Sequence, residues 1–481
     1  LTKFIFTKRG WERMARFIGR EEELTALEKA YQKEGFQMAV VYGRRRVGKT
    51  TLLREFCKNK RCVYYTAIKS TAARNTELLG QAVLEQLAPN MLGTAFKSLD
   101  MIFDYLYEQS REQRLIIIID ELPYFARKDE SLVSVLQKWI DEKWLFSKMF
   151  LILCGSSLSF MEDEVLSEKS PVFGRRTMQI KLEAFDYRQT SLFVPSWSAR
   201  DKAIAYGITG GIAKYVDLLD ETQSLDENIC SLYFSKTGYL YEEADNLLTQ
   251  EFRDVDLYSR IIETVAGGAN QIHEIADKVG VPPQNIVHAM KNLTETGIVY
   301  KQLAITEEGN KKKTKYILTD EMLRFWYRFI PDAVGIIEIG KGKSYYERNV
   351  KPLLSDYMGP VFEKMCRQYT LMEGITGRFG CIVTQVGTWW GATPNKREET
   401  DIEIVGLDKR AKKAVIGECK FRNEPTDISV LYALEARQNL LNGHFSAVKF
   451  LLFSAGGFTK GVAEACKKKP CITVGIEEMY S

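Results

Sequence analysis

A chain of 481 residues, 45% hydrophobic and 27% charged, has the composition of a globular protein and outgrows a single hydrophobic core, so two to four domains are expected. The net charge of +4 permits a nucleic-acid partner without demanding one, which leaves the question to local clusters. No apolar run reaches the length of a membrane span, the nine cysteines include no Cys-x-x-Cys pair, and His273, His288 and His444 are scattered. No membrane, no disulfide framework and no zinc site are therefore expected, and the cytoplasm is the expected compartment. Cys57, Cys154, Cys366, Cys419 and Cys466 fall in helix-like or strand-like segments, where a reduced thiol packs as a small apolar group.

Residues 1–13 are polar and basic, and Met14 directly precedes the stretch Ala15 to Glu21, so the first segment reads as a loosely held N-terminal extension. Glu22 to Glu34 repeats apolar residues at helical spacing, and Met38 to Tyr42 is an apolar run of strand length. The residues that follow, Gly43-Arg44-Arg45-Arg46-Val47-Gly48-Lys49-Thr50, fill every fixed position of G-x-x-x-x-G-K-[ST], with Thr51 beside them as a further nucleotide-binding candidate. A helix is predicted from Thr50 to Cys57. The loop thus lies between a strand and a helix, the context that separates a phosphate-binding loop from a chance glycine turn. Its glycines let backbone amides curl around phosphates, Lys49 offsets the β/γ charge, and the Thr50 hydroxyl ligates magnesium. ATP and Mg2+ are the expected cofactors.

Leu115 to Ile119 reads as a strand buried on both faces, closed by Asp120 and Glu121. A carboxylate at a strand's C-terminal end beside a phosphate loop can hold the magnesium shell, and its neighbour can polarise the attacking water. Asp120 takes the first role and Glu121 the second. Met149 to Leu153 is a further strand; Ser156 and Ser157 beyond it suit γ-phosphate sensing, and Gly174-Arg175-Arg176 offers an arginine finger. This alternation implies an α/β fold with a parallel sheet, over a phosphate-loop ATPase core of residues 14–184. Residues 185–250 read as a helical lid punctuated by Gly210 and Gly211.

Together, Phe17-Ile18-Gly19-Arg20-Glu21 with Leu24, the phosphate loop, Ile116 to Glu121, Gly155-Ser156-Ser157, Pro171 to Arg175 and Gly210 to Tyr215 resemble the archaeal and bacterial ATPase family of the AAA-like superfamily. The origin-recognition and signal-transduction (STAND) ATPases are relatives of that family. Ala213 stands where the family usually carries proline. The resemblance implies an ATPase core followed by a winged helix and a C-terminal domain of unknown function, and it leaves oligomerisation open.

Leu257 to Thr319 reads helix, helix, tight turn, helix and β-hairpin, within a winged-helix region of residues 251–332. His273 to Val279, the turn Gly280 to Pro283, and Gln284 to Thr296 have helix-turn-helix form. Ile286, Val287, Met290 and Leu293 form an apolar stripe, which leaves Gln284, Asn285, His288, Lys291 and Asn292 outward, where they can reach base edges. Lys311, Lys312, Lys313 and Lys315 of the hairpin suit phosphate contacts. DNA is the expected macromolecular partner; a lid or a protein dock is the other role such domains fill.

Asp320 to Ile330 adds an aromatic-rich helix, and Pro331, Gly335, Gly340 and Gly342 punctuate a linker. The last domain, residues 333–481, opens with a helix from Pro360 to about Met372 and turns strand-rich. Asp401 begins a strand to Val405. A charged turn from Asp408 to Lys413 leads into a second strand, Ala414 to Phe421, where Glu418 and Lys420 share a face by the period of two. This hairpin resembles the PD-(D/E)xK nuclease fold, with Thr400 in place of the proline. That resemblance implies a restriction-endonuclease-like α/β domain with a divalent metal on Asp401 and Glu418. It also implies Lys420 orienting the attacking water and Glu363 as a further acid ligand. Two accounts follow: an ATP-dependent enzyme acting on DNA with metal-dependent nuclease activity, or a nucleotide-controlled docking switch whose C-terminal domain only binds.

Overall fold

Short runs of aliphatic and β-branched residues become the strands, and polar, glycine-containing segments end them. The protein is described by a computed structural model that covers residues 4–7, 10–13, 17–91, 93–129, 131–306, 314–392, 399–441 and 445–481, with the backbone alone at 4–7, 10–13 and 392. It divides into two compact units, Leu1–Ala184 with Ile212–Asp217, and Phe185–Gly211 with Leu218–Ser481. His444 and the expected wing lysines Lys311, Lys312 and Lys313 lie outside the described residues.

The first unit opens with an antiparallel hairpin of β1 (Phe4–Thr7) and β2 (Gly10–Arg13). Five parallel strands follow: β3 (Gln37–Tyr42), β4 (Cys62–Thr66), β5 (Leu115–Asp120), β6 (Met149–Gly155) and β7 (Met178–Lys181). They lie in the order β4-β5-β6-β3-β7. Strands β3, β5 and β6 are buried along their whole length, which explains runs without polar alternation. In β5, Ile116 and Ile118 pack with Leu52, Leu53 and Phe56 of the helix Lys49–Cys57. Leu115, Ile117 and Ile119 point to the other face, among Leu79 and Val83 of the helix Ala72–Leu87 and Leu106 of the helix Leu99–Ser110. Each such isoleucine contributes roughly 1.5–3 kcal/mol by its burial. The chain leaves β3 for β4, returns through β5 and β6, and then passes beyond β3 to β7. The carboxyl end of β3 is thus a topological switch point, where an open parallel sheet forms its crevice.

In the second unit, the helices Val255–Ala266, Ile272–Val279 and Pro283–Glu295 precede a hairpin of β8 (Val299–Leu303) and β9 (Thr314–Leu318). Ile286, Ala289, Met290 and Leu293 form the buried face of the third helix, whereas Val287, assigned above to that stripe, is 55% exposed. One residue along a helix turns the side chain by about 100°, off the face of Ile286. Asn292 donates to the Tyr258 hydroxyl at 2.6 Å, so part of the expected outward row is engaged within the unit.

The stretch expected as a linker is instead folded, with helices at Val334–Glu338 and Gly342–Tyr345. A Cβ at Gly342 would lie 2.0 Å from the Phe234 carbonyl oxygen, so this glycine serves close packing. The long helix begins before Pro360 and spans Leu354–Gly374. The exposed proline removes one helical hydrogen bond, while Tyr357, Met358, Val361 and Phe362 bury on either side of it. A five-stranded sheet completes the unit: β10 (Gln385–Ala392), β11 (Glu399–Asp408), β12 (Lys413–Lys420), β13 (Ser446–Ser454) and β14 (Cys471–Gly475). The strands lie in sequential order, antiparallel through β12 and parallel from β12 to β14. Cys466, read above as a reduced thiol, is bonded to Cys471, since the end of the helix Lys460–Lys468 and the start of β14 bring their Cα atoms to 4.7 Å. No described helix is long and apolar enough to cross a membrane.

Candidate functional site

The loop after β3 is shaped by two close approaches. Gly43 has φ +154°, and a Cβ there would lie 2.1 Å from the Leu182 carbonyl oxygen just past β7. Gly48 has φ +96°, with the Ala213 methyl 3.3 Å from where its Cβ would be. Lys49 is 6% exposed, and its ammonium donates to the carbonyls of Gly43 at 2.8 Å and Arg44 at 2.9 Å. Burial holds the Lys49 ammonium below its ordinary value, against the opposing pull of Cys154, Glu121 and Asp120. Arg45 donates to the Tyr124 hydroxyl at 2.6 Å and Arg46 to the Tyr215 hydroxyl at 3.1 Å. The Val47 carbonyl accepts from Arg20 at 3.3 Å, and Thr51 is exposed in the first turn of the following helix.

Asp120 gathers three donors: the Thr50 hydroxyl at 3.0 Å, the Tyr64 hydroxyl at 2.7 Å and the Glu121 N–H at 3.0 Å. Burial, then the Asp120 charge, push the Tyr64 phenol up, so it stays a donor. Glu121 carries φ +53° and Arg46 φ +68°, left-handed backbone that costs a residue other than glycine roughly 1 kcal/mol. Both sit at the crevice. The Glu121 carboxylate accepts from the Ser156 hydroxyl at 2.8 Å and from the Ser156 N–H at 3.3 Å. Ser157 instead accepts from Arg127 at 2.9 Å. Thr50 and Asp120 are adjacent hard-oxygen donors beside a buried ammonium, a set that fits magnesium with a nucleotide polyphosphate. The arginines offered as a finger are held within the chain. Arg175 makes two bonds of 2.7 Å to Asp141, and Arg176 donates to the Leu166 carbonyl at 2.7 Å.

In the second unit, β11 and β12 pair from Asp408↔Lys413 to Ile404↔Gly417. Past that pair, the Glu403 carboxylate accepts the Cys419 N–H at 2.7 Å. The Lys420 ammonium donates to Glu418 at 2.8 Å and to Glu403 at 3.4 Å. Arg437 donates to the Glu418 carboxylate at 3.0 Å and to the Asp401 carbonyl at 2.9 Å. Arg367 joins the Glu363 carboxylate at 3.3 Å, the Thr388 hydroxyl at 3.2 Å and the Glu403 carbonyl at 3.1 Å. Burial, then the Glu418 charge, push the Glu403 carboxyl up to about 7. Burial works against the Lys420 ammonium, yet Glu403 and Glu418 outweigh it and hold it above its ordinary value.

The acid cage of Glu363, Asp401 and Glu418 is therefore corrected. Among the described residues, no group of three or more His, Cys, Asp or Glu side chains is arranged to hold a metal ion. Asp401 is exposed and pairs with Trp390 of β10, past the end of the β11–β12 ladder. The carboxylate brought to Glu418 and Lys420 is Glu403, two residues further along. Glu403, Tyr64, Arg367 and Arg437 were missed by sequence reasoning. Only Glu403 carried a signal, the period of two that it shares with Asp401.

Residues 17–219 match a family described as an ATPase domain predominantly from Archaea, and residues 326–434 match archaeal and bacterial proteins of unknown function. The chain is 28% identical over 430 residues to an uncharacterized protein of Methanocaldococcus jannaschii, covering 89% of this chain and 92% of the relative. An uncharacterized ATP-binding protein of the same organism is 44% identical over 45 residues, 9% of this chain and 76% of that one. The fold is similar to that of a Walker-type ATPase of Pyrococcus abyssi, with a TM-score of 0.50 at 19% identity over 65% of this chain and 96% of that one.

Proposed function

We propose that this chain, whose residues 17–219 match the ATPase-domain family found predominantly in Archaea, hydrolyses ATP to control a DNA-acting second unit. The observation that carries the ATP-hydrolysing part of the reading is the set of contacts around Asp120 and Glu121: Thr50 and Tyr64 on the first carboxylate, Ser156 on the second. Thr50 and Asp120 would hold a magnesium ion, which would supply charge neutralisation to the nucleotide phosphates. Lys49, now satisfied by two loop carbonyls, offers its charge to phosphate oxygens without first being desolvated. Glu121 takes the proton of the attacking water, and Ser156 fixes the direction of its carboxylate.

For the second unit, the exposed Gln284, Asn285, His288 and Lys291 support groove contacts of winged-helix type, with Lys315 on the hairpin. Glu403, Glu418 and Lys420 support a phosphodiester-cleaving site of PD-(D/E)xK type. A divalent ion there would polarise the phosphate, and Arg367 and Arg437 position the carboxylates. One observation favours the second reading, a docking switch that binds without cutting. Glu418 is already held by both Lys420 and Arg437. ATP hydrolysis by the purified chain, with and without DNA, and a gel of that DNA with magnesium or manganese separate the readings. Hydrolysis with cut DNA supports the enzyme, and hydrolysis with intact DNA supports the switch. Absence of hydrolysis refutes both.

A further inference from the structure

The hairpin β8–β9, the helix Leu354–Gly374 and strand β10 line a cleft of about 820 Å³. That volume lies within the range of ligand clefts, about 300–1,000 Å³, room for a few unpaired nucleotides and far too little for a duplex. Five lysine or arginine side chains and three carboxylates line it. Three of those cations come from helices and are paired there: Arg324 and Lys364 with Glu321, and Arg367 with Glu363. Of the two hairpin lysines, Lys315 shares a face with Gln302 and Tyr300, whereas Lys301, paired with Tyr316, lies on the opposite face, so the further cation on that face of the hairpin is Lys315. This lysine lies beside aromatic surface: Tyr300, on the same face of the hairpin, is 53% exposed, and the Lys315 ammonium lies 4.6 Å from the centre of the Trp390 ring. The cleft also reaches the carboxylate cluster. Glu363 lines it, and Arg367 ties Glu363 to the backbone of Glu403.

The geometry points to this cleft as the binding site for a single nucleic-acid strand, a phosphate on Lys315 and a base stacked on Trp390, running toward Glu403 and Glu418. The inference rests on the DNA-acting reading above. An acidic peptide would use the lysine alone, whereas a nucleic-acid strand alternates charge with flat apolar rings and so uses the aromatic faces as well.

Fluorescence anisotropy on the full chain with a labelled oligothymidylate tests it, alongside a duplex of equal length and polyglutamate as competitor. Trp390→Ala is expected to weaken single-strand binding about tenfold, the loss of one base–aromatic stack, while Trp390→Phe restores most of it and duplex binding is unchanged. Lys315→Ala is expected to flatten the single-strand salt slope by about 0.7. Equal affinity in wild type and Trp390→Ala, an equal loss for duplex, or displacement by polyglutamate at matching affinity would each overturn the assignment. Strand binding that depends on Trp390 in a chain that cuts no DNA overturns the nuclease reading and leaves the cleft standing. DNA cutting with binding indifferent to Trp390 overturns the cleft alone.

Discussion

Glu403→Gln tests the carboxylate cluster most directly. Glutamine keeps the volume and an oxygen able to accept the Cys419 N–H, and it removes the charge that faces Glu418. With its carboxyl pushed up to about 7 from an ordinary 4.5, folded Glu403 keeps a proton that the unfolded chain has lost between those pH values. A folded-state value raised in this way contributes stability that is complete below about pH 4.5 and is lost as pH rises through about 7. The gap corresponds to about 3 kcal/mol, at roughly 1.4 kcal/mol per pH unit. The variant carries no such titration. Its stability relative to wild type should therefore grow by about 2–3 kcal/mol between roughly pH 5 and pH 8. The two units need not unfold together. Pulse-labelling hydrogen exchange of β11 and β12 peptides across a urea series reads this sheet apart from the ATPase core. A difference between wild type and variant that stays constant across that pH range refutes the reasoning. Under the nuclease reading, the same variant loses any metal-dependent cleavage while keeping ATP hydrolysis.

Lys49→Ala should abolish ATP binding in calorimetric titration, while Glu121→Gln should bind ATP normally and release no phosphate; unchanged turnover in the glutamine variant removes the water-activating role. Gly43→Ala should cost on the order of 3 kcal/mol, because its Cβ would meet the Leu182 carbonyl oxygen at 2.1 Å. Chemical denaturation of the ATPase core measures that cost, and wild-type stability would show that the approach is relaxed. Tyr64→Phe removes one donor from Asp120 and should destabilise the core by about 1–3 kcal/mol. It should also shift the magnesium dependence of ATP hydrolysis, and an identical magnesium titration would make the tyrosine a packing residue only.

The sequence alone determined whatever is local. A contiguous loop between an apolar run and a helix declares itself, because backbone curvature, lysine and hydroxyl come from neighbouring residues. The unbroken isoleucines of β5 announce a strand buried on both faces. The three helices and hairpin before Asp320 follow from periodicity and turns. Pairing across the chain was decided only by the tertiary structure. Asp401 and Glu403 share one strand and one parity, so no sequence pattern chooses between them. The choice falls to Glu403 because the β11–β12 ladder ends at Ile404↔Gly417, which leaves the next carboxylate to bond Cys419. Tyr64 reaches Asp120 only because β4 lies beside β5, and Cys466 meets Cys471 only where a helix end turns back into a strand. Gly43 looks like a phosphate-loop glycine in the sequence, yet the close approach of Leu182, just past β7 and more than a hundred residues away, also requires it. Spacing along a chain constrains which residues share a face, but the strand register that places one face against another is set by packing over the whole sheet.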